Sequence, residues 1–457
     1  MRDLAFKYRL ISLLLGVACL IILLLPFHAL MTVWAASVLG HYTLLRLWKE
    51  YLVLALGLAV IWLLISDSRL RSRIFKTKLV WVIIAYALVD FIIAGVAYSQ
   101  HKVSTKAMAY GLLDDLRFLI FFVICWAIAI KTDRFAKRWQ KLIIWPAVIV
   151  VGFGLLQMSV LPADFLSHFG YGATTIPPYQ TINNNIRYIR ILSTLRGADP
   201  LGAYLILPIS ALIVLLVRYP KSRTWAKILL LIGSLAVLFG SYSRSAWIGA
   251  FLGCVFIGLS LFKRDFVRRY KLHLSVAAMA AVVLIGVSAY AFGASSRFQN
   301  IIFHYQSHSS SPISSDQAHL KALAGGVKTV VDQPFGNGPG TSGPASLYNH
   351  YGSANIPENY FLEVGEESGI LGMLLFVAIN VIVGYELWRR RDSAFAMTML
   401  AALIGITFVN LLLLAWTDDT LSYIWWGLAG AAMTLPTNNQ PAKANNKDRR
   451  NYGKTKY

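Results

Sequence analysis

The chain has 457 residues, of which 57% are hydrophobic and only 14% are charged. Soluble globular domains carry about 25% charged residues, so this composition excludes an ordinary soluble protein and indicates a polytopic membrane protein. The formal net charge of +22 does not predict a nucleic-acid partner. The basic residues cluster in short segments between apolar runs, which is the pattern that membrane topology produces.

Apolar runs of about 20 residues, the length that crosses roughly 30 Å of hydrocarbon, recur along the chain. They lie at 10–27, 50–66, 79–98, 109–130, 142–160, 200–217, 227–242, 244–262, 273–293, 368–387, 394–416 and 420–435. We therefore predict an all-α polytopic membrane protein with about twelve transmembrane helices. The transmembrane domain covers residues 1–437, and residues 438–457 form a basic tail that we expect to be disordered.

The basic residues also predict an orientation. Most of the 43 lysines and arginines fall in the termini and in short loops on one side of the predicted bundle, which the positive-inside rule assigns to the cytoplasm. Both termini of this multi-pass protein are then cytoplasmic, and the loops at 161–200 and 294–367 are extracytoplasmic. The larger loop joins the ninth and tenth predicted helices.

Three arginines depart from this charge bias in the first outer loop, where Arg187, Arg190 and Arg196 precede a predicted helix. Arg187 and Arg190 would share a face if the segment were helical, and Asp199 is predicted to be the N-cap of the following helix. The guanidinium group offers a planar fork of donors that suits phosphate, so the cluster favours a pyrophosphate-bearing lipid. The alternatives are binding of ordinary lipid headgroups, or pairing with Asp164 and Asp199.

Arg244 lies in a tight turn, Gly240 to Gly249, between two short apolar helices. A positive charge at that depth of a membrane is usually paired or functional. The helix predicted to start at Ser245 also directs free N–H groups outward, where an anion can bind. The alternative is a side chain that extends to the membrane surface.

The large outer loop contains an amphipathic helix predicted over residues 316–331 and a glycine-rich turn at 334–340. Four acids follow at the start of the next membrane helix, namely Glu358, Glu363, Glu366 and Glu367. Favourable interaction with the helix N-terminus is one explanation of these acids. Glu358 is the strongest candidate for a functional acid, because Pro357 and Asn359 hold it at the outer boundary. The loop histidines lack metal-site spacing, so we expect no metal.

Two further groups of charges fall in or near membrane helices. Asp114, Asp115 and Arg117 predict an internal ion pair, with a proton relay as the alternative. Asp418 and Asp419 form a short outer turn that could face the site, but a solvated turn is the expectation.

The order of these motifs resembles the O-antigen ligase and O-antigen polymerase superfamily over about residues 140–435. The resemblance rests on Arg196-Gly197, the turn Ser243-Arg244-Ser245-Ala246-Trp247, the segment Pro334 to Gly340, and the segment Asn359 to Gly372. It implies a fold like that of the GT-C glycosyltransferases and a metal-independent enzyme without a cofactor. Such an enzyme moves an oligo- or polysaccharide from undecaprenyl pyrophosphate to an acceptor hydroxyl on the outer side of the bacterial cytoplasmic membrane, as part of cell-envelope polysaccharide biosynthesis.

The resemblance also implies roles for single residues. Arg196 and Arg244 would hold the pyrophosphate, assisted by Arg187 and Arg190, and Glu358 would be the base. The candidate substrate-binding residues also include Arg297, His319 and Asn359. Glu358 stands where ligases carry a histidine, and His319 stands where an arginine is common.

These two departures leave a ligase and a polymerase as comparable predictions, with a glycan, a lipid or a protein as acceptor. A transporter of lipids or anions is an alternative of a different class, and it would show inverted repeats and broken central helices. A structural or assembly protein of the membrane is the third alternative.

Overall fold

A computed structural model describes residues 2–182, 185–261 and 315–438, and the statements below concern these ranges. The chain is mainly helical. The helices are α1 (Arg2–Leu24), α2 (His28–Leu39), α3 (Tyr42–Arg46), α4 (Trp48–Ser66), α5 (Ser68–Phe75), α6 (Lys78–Ser99), α7 (Thr105–Lys131), α8 (Arg134–Ser159), α9 (Ala198–Arg218), α10 (Thr224–Gly240), α11 (Arg244–Leu261), α12 (Ser315–Asp332), α13 (Tyr360–Trp388), α14 (Ala394–Asn410) and α15 (Asp419–Ala432).

Six helical segments of the described ranges are long and apolar enough to cross a membrane, which is consistent with a polytopic membrane protein. They are Lys7–Leu39, Trp48–Ser66, Lys78–Ser99, Arg134–Ser159, Ala198–Arg218 and Tyr360–Trp388. Three shorter apolar helices accompany them, and these are Thr224–Gly240, Arg244–Ser260 and Ala394–Asn410. The total of twelve spans stays a prediction, and the run at 273–293 lies outside the described residues.

Polar contacts collect at two opposite ends of the bundle. At one end, which we call the basic face, Lys131 pairs with Asp67, and the Arg218 side chain donates to the Arg391 carbonyl at 3.2 Å. At the other end, which we call the loop face, Arg196 pairs with Asp418 at 2.8 Å. Segments that the charge pattern assigns to the same side of a membrane therefore contact one another.

The core is densest where α7 packs against α15. Gly427 and Gly430 of α15 allow this approach, since a Cβ on Gly430 would lie 2.3 Å from the Phe122 carbonyl oxygen. Aromatic side chains fill the space around the contact, with Phe118 5.4 Å from Trp426 between ring centroids. This packing fixes the turn before α15, which carries two acidic residues of the site.

The structure differs from the all-α expectation in the first outer loop. Strands β1 (Gln180–Ile182) and β2 (Asn185–Arg190) pair antiparallel there. The condition for Arg187 and Arg190 to share a helical face is therefore not met. Residues three apart on a strand point to opposite faces, so only one of the two can lie against the bundle.

The membrane helix α13 is interrupted at Gly369, where φ is 70° and ψ is −177°. A Cβ at this position would lie 2.6 Å from the Phe335 backbone, so the interruption requires glycine. The segment before the break, which begins at Tyr360, carries the three buried glutamates of the loop face.

Candidate active site at the loop face

Arg190 joins three segments at the start of α9. Its Nη2 donates to the Asp199 carboxylate at 2.6 Å, and its Nε donates to the Ser241 carbonyl at 2.9 Å. The Ile191 N–H also donates to the Gly240 carbonyl at 3.2 Å. The predicted alternative of pairing with Asp199 is thus confirmed for Arg190, whose donors hold the hairpin to the turn before α11. The exposed Arg187 lies further out on β2.

The N-cap of α9 is Gly197 rather than the predicted Asp199. Asp199 lies in the first turn of the helix, where a carboxylate still interacts favourably with the helix dipole. Its acceptor capacity is used by Arg190 instead of by a backbone N–H of the first turn.

Arg244 is the first residue of α11, one position earlier than predicted. Its turn packs directly on α9, since a Cβ on Gly202 would lie 2.8 Å from the Cβ atoms of Ser243 and Ala246. The Trp247 indole holds the turn from the other side by donating to the Leu238 carbonyl at 2.8 Å. The Arg244 turn and Arg190 therefore meet at the start of α9, close in sequence to Arg196.

Arg196 pairs through its Nε with Asp418 at 2.8 Å. Asp418 is 3% exposed and caps α15 by accepting the Leu421 N–H at 3.1 Å. Burial raises the pKa of the Asp418 carboxyl, and Arg196 opposes this shift by favouring the charged form. The expectation that Asp418 and Asp419 form a solvated turn is wrong, because both are buried among cationic side chains.

Asp419 is contacted by two side chains from the first part of the chain. Lys49 Nζ lies 2.9 Å from its carboxylate and His28 Nε2 lies 3.5 Å from it. The predicted ion pair in α7 is confirmed by the 2.9 Å contact between Arg117 and Asp114, and Arg117 also donates to the Thr417 carbonyl at 2.8 Å. The buried acids of this turn are thus matched by buried cations, as a low-dielectric site requires.

Two cavities flank Arg196. One, of about 270 Å³, has a surface of mixed character that includes the side chains of His28, Tyr42, Arg46 and Asp419, and we call it the polar cavity. The other, of about 180 Å³, is apolar for most of its surface and is lined by residues that include Ala203, Val409, Leu413 and Leu414. Arg196 lines both cavities, so it lies between a cavity of mixed character that contains charged side chains and a cavity that is mainly apolar.

Arg46 is a member of the site that the sequence reasoning missed. Its half-buried side chain lines the polar cavity and feels the charge of Asp419. In the described part of the chain it forms no salt bridge within 4 Å, unlike Arg190 and Arg196. The available signal was its position, because it is a basic residue on the side that otherwise carries few of them.

The glycine-rich turn fills the break in α13. The Asn337 and Gly338 N–H groups donate to the Glu366 and Glu367 carbonyls at 2.8 and 2.9 Å, and the Ile370 N–H donates to the Pro334 carbonyl at 2.9 Å. The backbone groups released by the interruption are therefore satisfied by the turn, which a buried helix break requires.

Three of the four acids are structural members of this junction. The Glu367 carboxylate accepts the Gly340 and Ser342 N–H groups at 2.8 and 3.1 Å. Glu366 accepts from the Asn355 amide at 2.7 Å, and Glu363 is 4% exposed beside Gly343. Glu366 and Glu367 hold the loop to the membrane helix, and Glu363 is buried beside it, which leaves Glu358 as the acid nearest the solvent.

Glu358 has a left-handed backbone, with φ of 54°, and its carboxylate pairs with Nδ1 of His319 on α12. The next residue, Asn359, is the N-cap of α13 and accepts the Leu362 N–H at 3.1 Å. Its amide donates to the Leu411 carbonyl at 3.1 Å. Two sequence-predicted candidates, Glu358 and His319, are thus in direct contact.

The two halves of the site are joined through the segment between α14 and α15. It begins beside Asn359 at Leu411, and its residues Leu413 and Leu414 line the apolar cavity next to Arg196. No salt bridge joins Glu358 to Arg196 among the described residues, since each pairs with another partner. Arg297 lies outside the described residues. Within those residues, no group of three or more potential metal ligands is assembled.

Comparison with known proteins gives one match to a family model, over part of the chain. Residues 228–377 match a family model described as O-antigen ligase. The matched range includes the Arg244 turn, α12, the glycine-rich turn and the first part of α13. No curated protein matches the sequence.

Proposed function

We propose that the chain is a membrane glycosyltransferase, and the match of residues 228–377 to a family model described as O-antigen ligase supports this proposal. It moves an oligo- or polysaccharide from undecaprenyl pyrophosphate to an acceptor hydroxyl at the outer side of the bacterial cytoplasmic membrane. If the protein is a polymerase, the acceptor is a glycan. If it is a ligase, the acceptor is another glycan, a lipid or a protein. We assign the loop face to the outer side because the basic segments lie at the opposite end.

The observation that carries this proposal is the place of Arg196 between a polar and an apolar cavity. In a polyprenyl diphosphate, an apolar chain is joined by one bond to a doubly charged head. The chain would lie in the apolar cavity and the head beside Arg196. Arg196 pairs with Asp418 through its Nε, and its Nη groups are the ones that would bind the diphosphate. Arg46 adds a second guanidinium from the polar side, and Arg244 lies on the adjoining turn.

The reaction needs neutralisation of the departing diphosphate and removal of the acceptor proton. Guanidinium groups held in a site of low dielectric can stabilise the leaving group without a metal ion. The pair of Glu358 and His319 supplies a proton acceptor at the loop face. Metal independence and the absence of a cofactor belong to the proposal.

The test is reconstitution of the purified protein in vesicles with polyprenyl-diphosphate-linked glycans extracted from cells that lack it. We expect glycan transfer, and Arg196→Ala should lower donor use strongly. Arg187→Ala is the matched control, since this exposed arginine lies on the same loop. Longer lipid-linked chains would identify a polymerase, and a new conjugate would identify a ligase. Wild-type protein that transfers no glycan in this system would contradict the proposal.

One observation favours the transporter alternative, because α13 is broken as transporter helices often are. The glycine-rich turn occupies this break and bonds its free backbone groups, which makes it a built junction rather than an open midplane site. Passage of the labelled lipid across the same vesicles, without chemical change, would favour transport.

A further inference from the structure

Three helices enclose a groove of about 690 Å³ at the basic face. Its walls are the first half of α8, the last turns of α9 and the first turns of α10. Directly beyond the last lining residues, α8 and α10 come into contact. A Cβ on Gly233 would lie 2.9 Å from Val151, and a Cβ on Gly154 would lie 2.8 Å from Val237. The groove is therefore open at the basic face and closed further inside the bundle.

The character of the groove changes along its length. At the outer end the lining side chains are polar or charged, and they include Lys141, Ser222 and Arg223. Further in they are apolar, and they include Val148 and Leu212. Seven residues of α8 separate Lys141 from Val148, so the change takes place over about 10 Å along the helix axis. A ligand that matches this surface has a polar head and an apolar chain.

The polar end of the groove is cationic. Lys141, Arg223 and Lys227 line it from three segments of the chain. Among the described residues, none of the three forms a salt bridge, and neither Asp nor Glu lines the groove. Lys227 donates to the Leu215 and Tyr219 carbonyls at 3.1 and 2.6 Å, which holds it at the end of α9 and leaves one of its three N–H groups. The head of the ligand is therefore an anion.

Membrane topology explains only part of this arrangement. The positive-inside rule accounts for basic residues at this end of the helices, but it does not require cations from separate segments around one opening with an apolar floor. Exposed aromatic rings such as Trp145 and Tyr219 are typical of the level of lipid headgroups. A free phosphate would use the polar end alone. The C-terminal segment of the chain is basic and would be repelled.

We propose that this groove binds an anionic phospholipid, whose phosphate lies between Lys141 and Arg223 and whose acyl chain lies along Val148 and Leu212. Basic pockets between membrane helices on the cytoplasmic side suit such lipids. The site is separate from the proposed glycan transfer and does not depend on it. The lipid joins the end of α9 to α8 and α10, and the first turn of α9 carries Asp199 of the candidate active site.

The first test is titration of the purified protein in neutral detergent with short-chain phosphatidylglycerol. Phosphatidylcholine with the same chains, the neutral probe, should bind more weakly. Each basic side chain near an anionic lipid contributes about fivefold, so the double variant Lys141→Gln with Arg223→Gln should bind phosphatidylglycerol about thirtyfold more weakly. The matched control is Lys76→Gln with Lys221→Gln, which removes two cations of the basic face outside the groove and should keep the wild-type affinity.

The second test locates the lipid in the unaltered site. In phosphatidylcholine vesicles, phosphatidylglycerol with brominated chains should quench tryptophan fluorescence more than brominated phosphatidylcholine at the same mole fraction. The difference should disappear in Trp145→Phe, because Trp145 lines the groove.

Four outcomes would overturn the proposal. Equal binding of the two phospholipids would show that the charges are not used, and equal losses in the two double variants would show a general surface effect. Glycerol phosphate that binds as tightly as phosphatidylglycerol would identify a site for free phosphate. Tighter binding of a polyprenyl diphosphate at this groove would identify a second donor site. None of these measurements involves glycan transfer, so they do not bear on the proposed function.

Discussion

Arg196 and Arg46 differ in what their guanidinium groups contact. Arg196 is anchored by Asp418, whereas Arg46 faces the polar cavity without a salt bridge in the described residues. The charge of Asp419 favours the charged form of Arg46 without a direct contact, and the proposed anionic substrate would add a direct partner. Sequence reasoning identified Arg196 by its local motif. It missed Arg46 because the partners that give Arg46 its setting, such as Asp419, lie hundreds of residues away.

We predict that Arg46→Ala weakens binding of the lipid diphosphate by about 1.5–3 kcal/mol, the range for a hydrogen bond to a charged group. That corresponds to roughly a tenfold to hundredfold higher dissociation constant. The measurement is titration of the purified protein with a short-chain polyprenyl diphosphate. Arg187→Ala serves as the control, and equal affinities for the two variants would remove Arg46 from the site.

Arg196→Lys should not restore the function lost in Arg196→Ala. A lysine has one ammonium group, which can pair with Asp418 or reach a phosphate, whereas the guanidinium can do both at once. Donor-dependent transfer by the Lys variant near the wild-type rate would show that only charge is needed at this position.

At the scale of single elements, the helix bounds were largely predictable and the junctions between helices were not. The predicted span 79–98 agrees with Lys78–Ser99, and 316–331 agrees with Ser315–Asp332, because apolar periodicity is a local signal. The roles of Glu366 and Glu367 depend on a turn more than 20 residues earlier in the chain, and no local pattern contains that contact. The strand at 185–190 was missed for the same reason, since its partner determines it.

Gly369→Ala tests the junction. The new methyl group would meet the Phe335 backbone at 2.6 Å in a conformation with φ of 70°, and strain of this kind costs about 1–3 kcal/mol. We expect a lower midpoint of thermal unfolding in detergent. Gly352→Ala, where nothing lies within 4 Å of the added atom, is the control. Equal midpoints for the two variants would contradict the role of the break.

For the whole molecule, the segregation of polar contacts into a basic face and a loop face agrees with the charge pattern of the sequence. Membrane orientation is a global property that a sum of local charges can predict. The site is also global, since it assembles parts of α3, α7, α9, α12 and α13 with the turn before α15. Its members could therefore be proposed one by one, whereas partners could be predicted only where they lie near in sequence, as Asp199 does to Arg190 and Asp114 to Arg117.

Cysteine labelling tests the orientation. Ser353→Cys at the loop face should react with a membrane-impermeant maleimide in spheroplasts, because the loop face is proposed to lie outside. Ser222→Cys, in the loop between α9 and α10, should react only after permeabilisation. Cys19 and Cys125 are buried, and the partly exposed Cys254 is replaced by alanine in the background used for labelling. The opposite labelling pattern would invert the topology and place the Arg196 site in the cytoplasm.

The amide of Asn359, the residue after Glu358, donates to the Leu411 carbonyl at the start of the segment that lines the apolar cavity beside Arg196. In the proposed reaction, this hydrogen bond would help to set the distance between the incoming hydroxyl and the bond that must break. Asn359→Ala should leave the sugar activated but poorly aligned with its acceptor, so that water competes for the anomeric carbon. The expected product is free, unattached glycan. Asn359 would then determine whether the glycan is joined to its acceptor or released by hydrolysis.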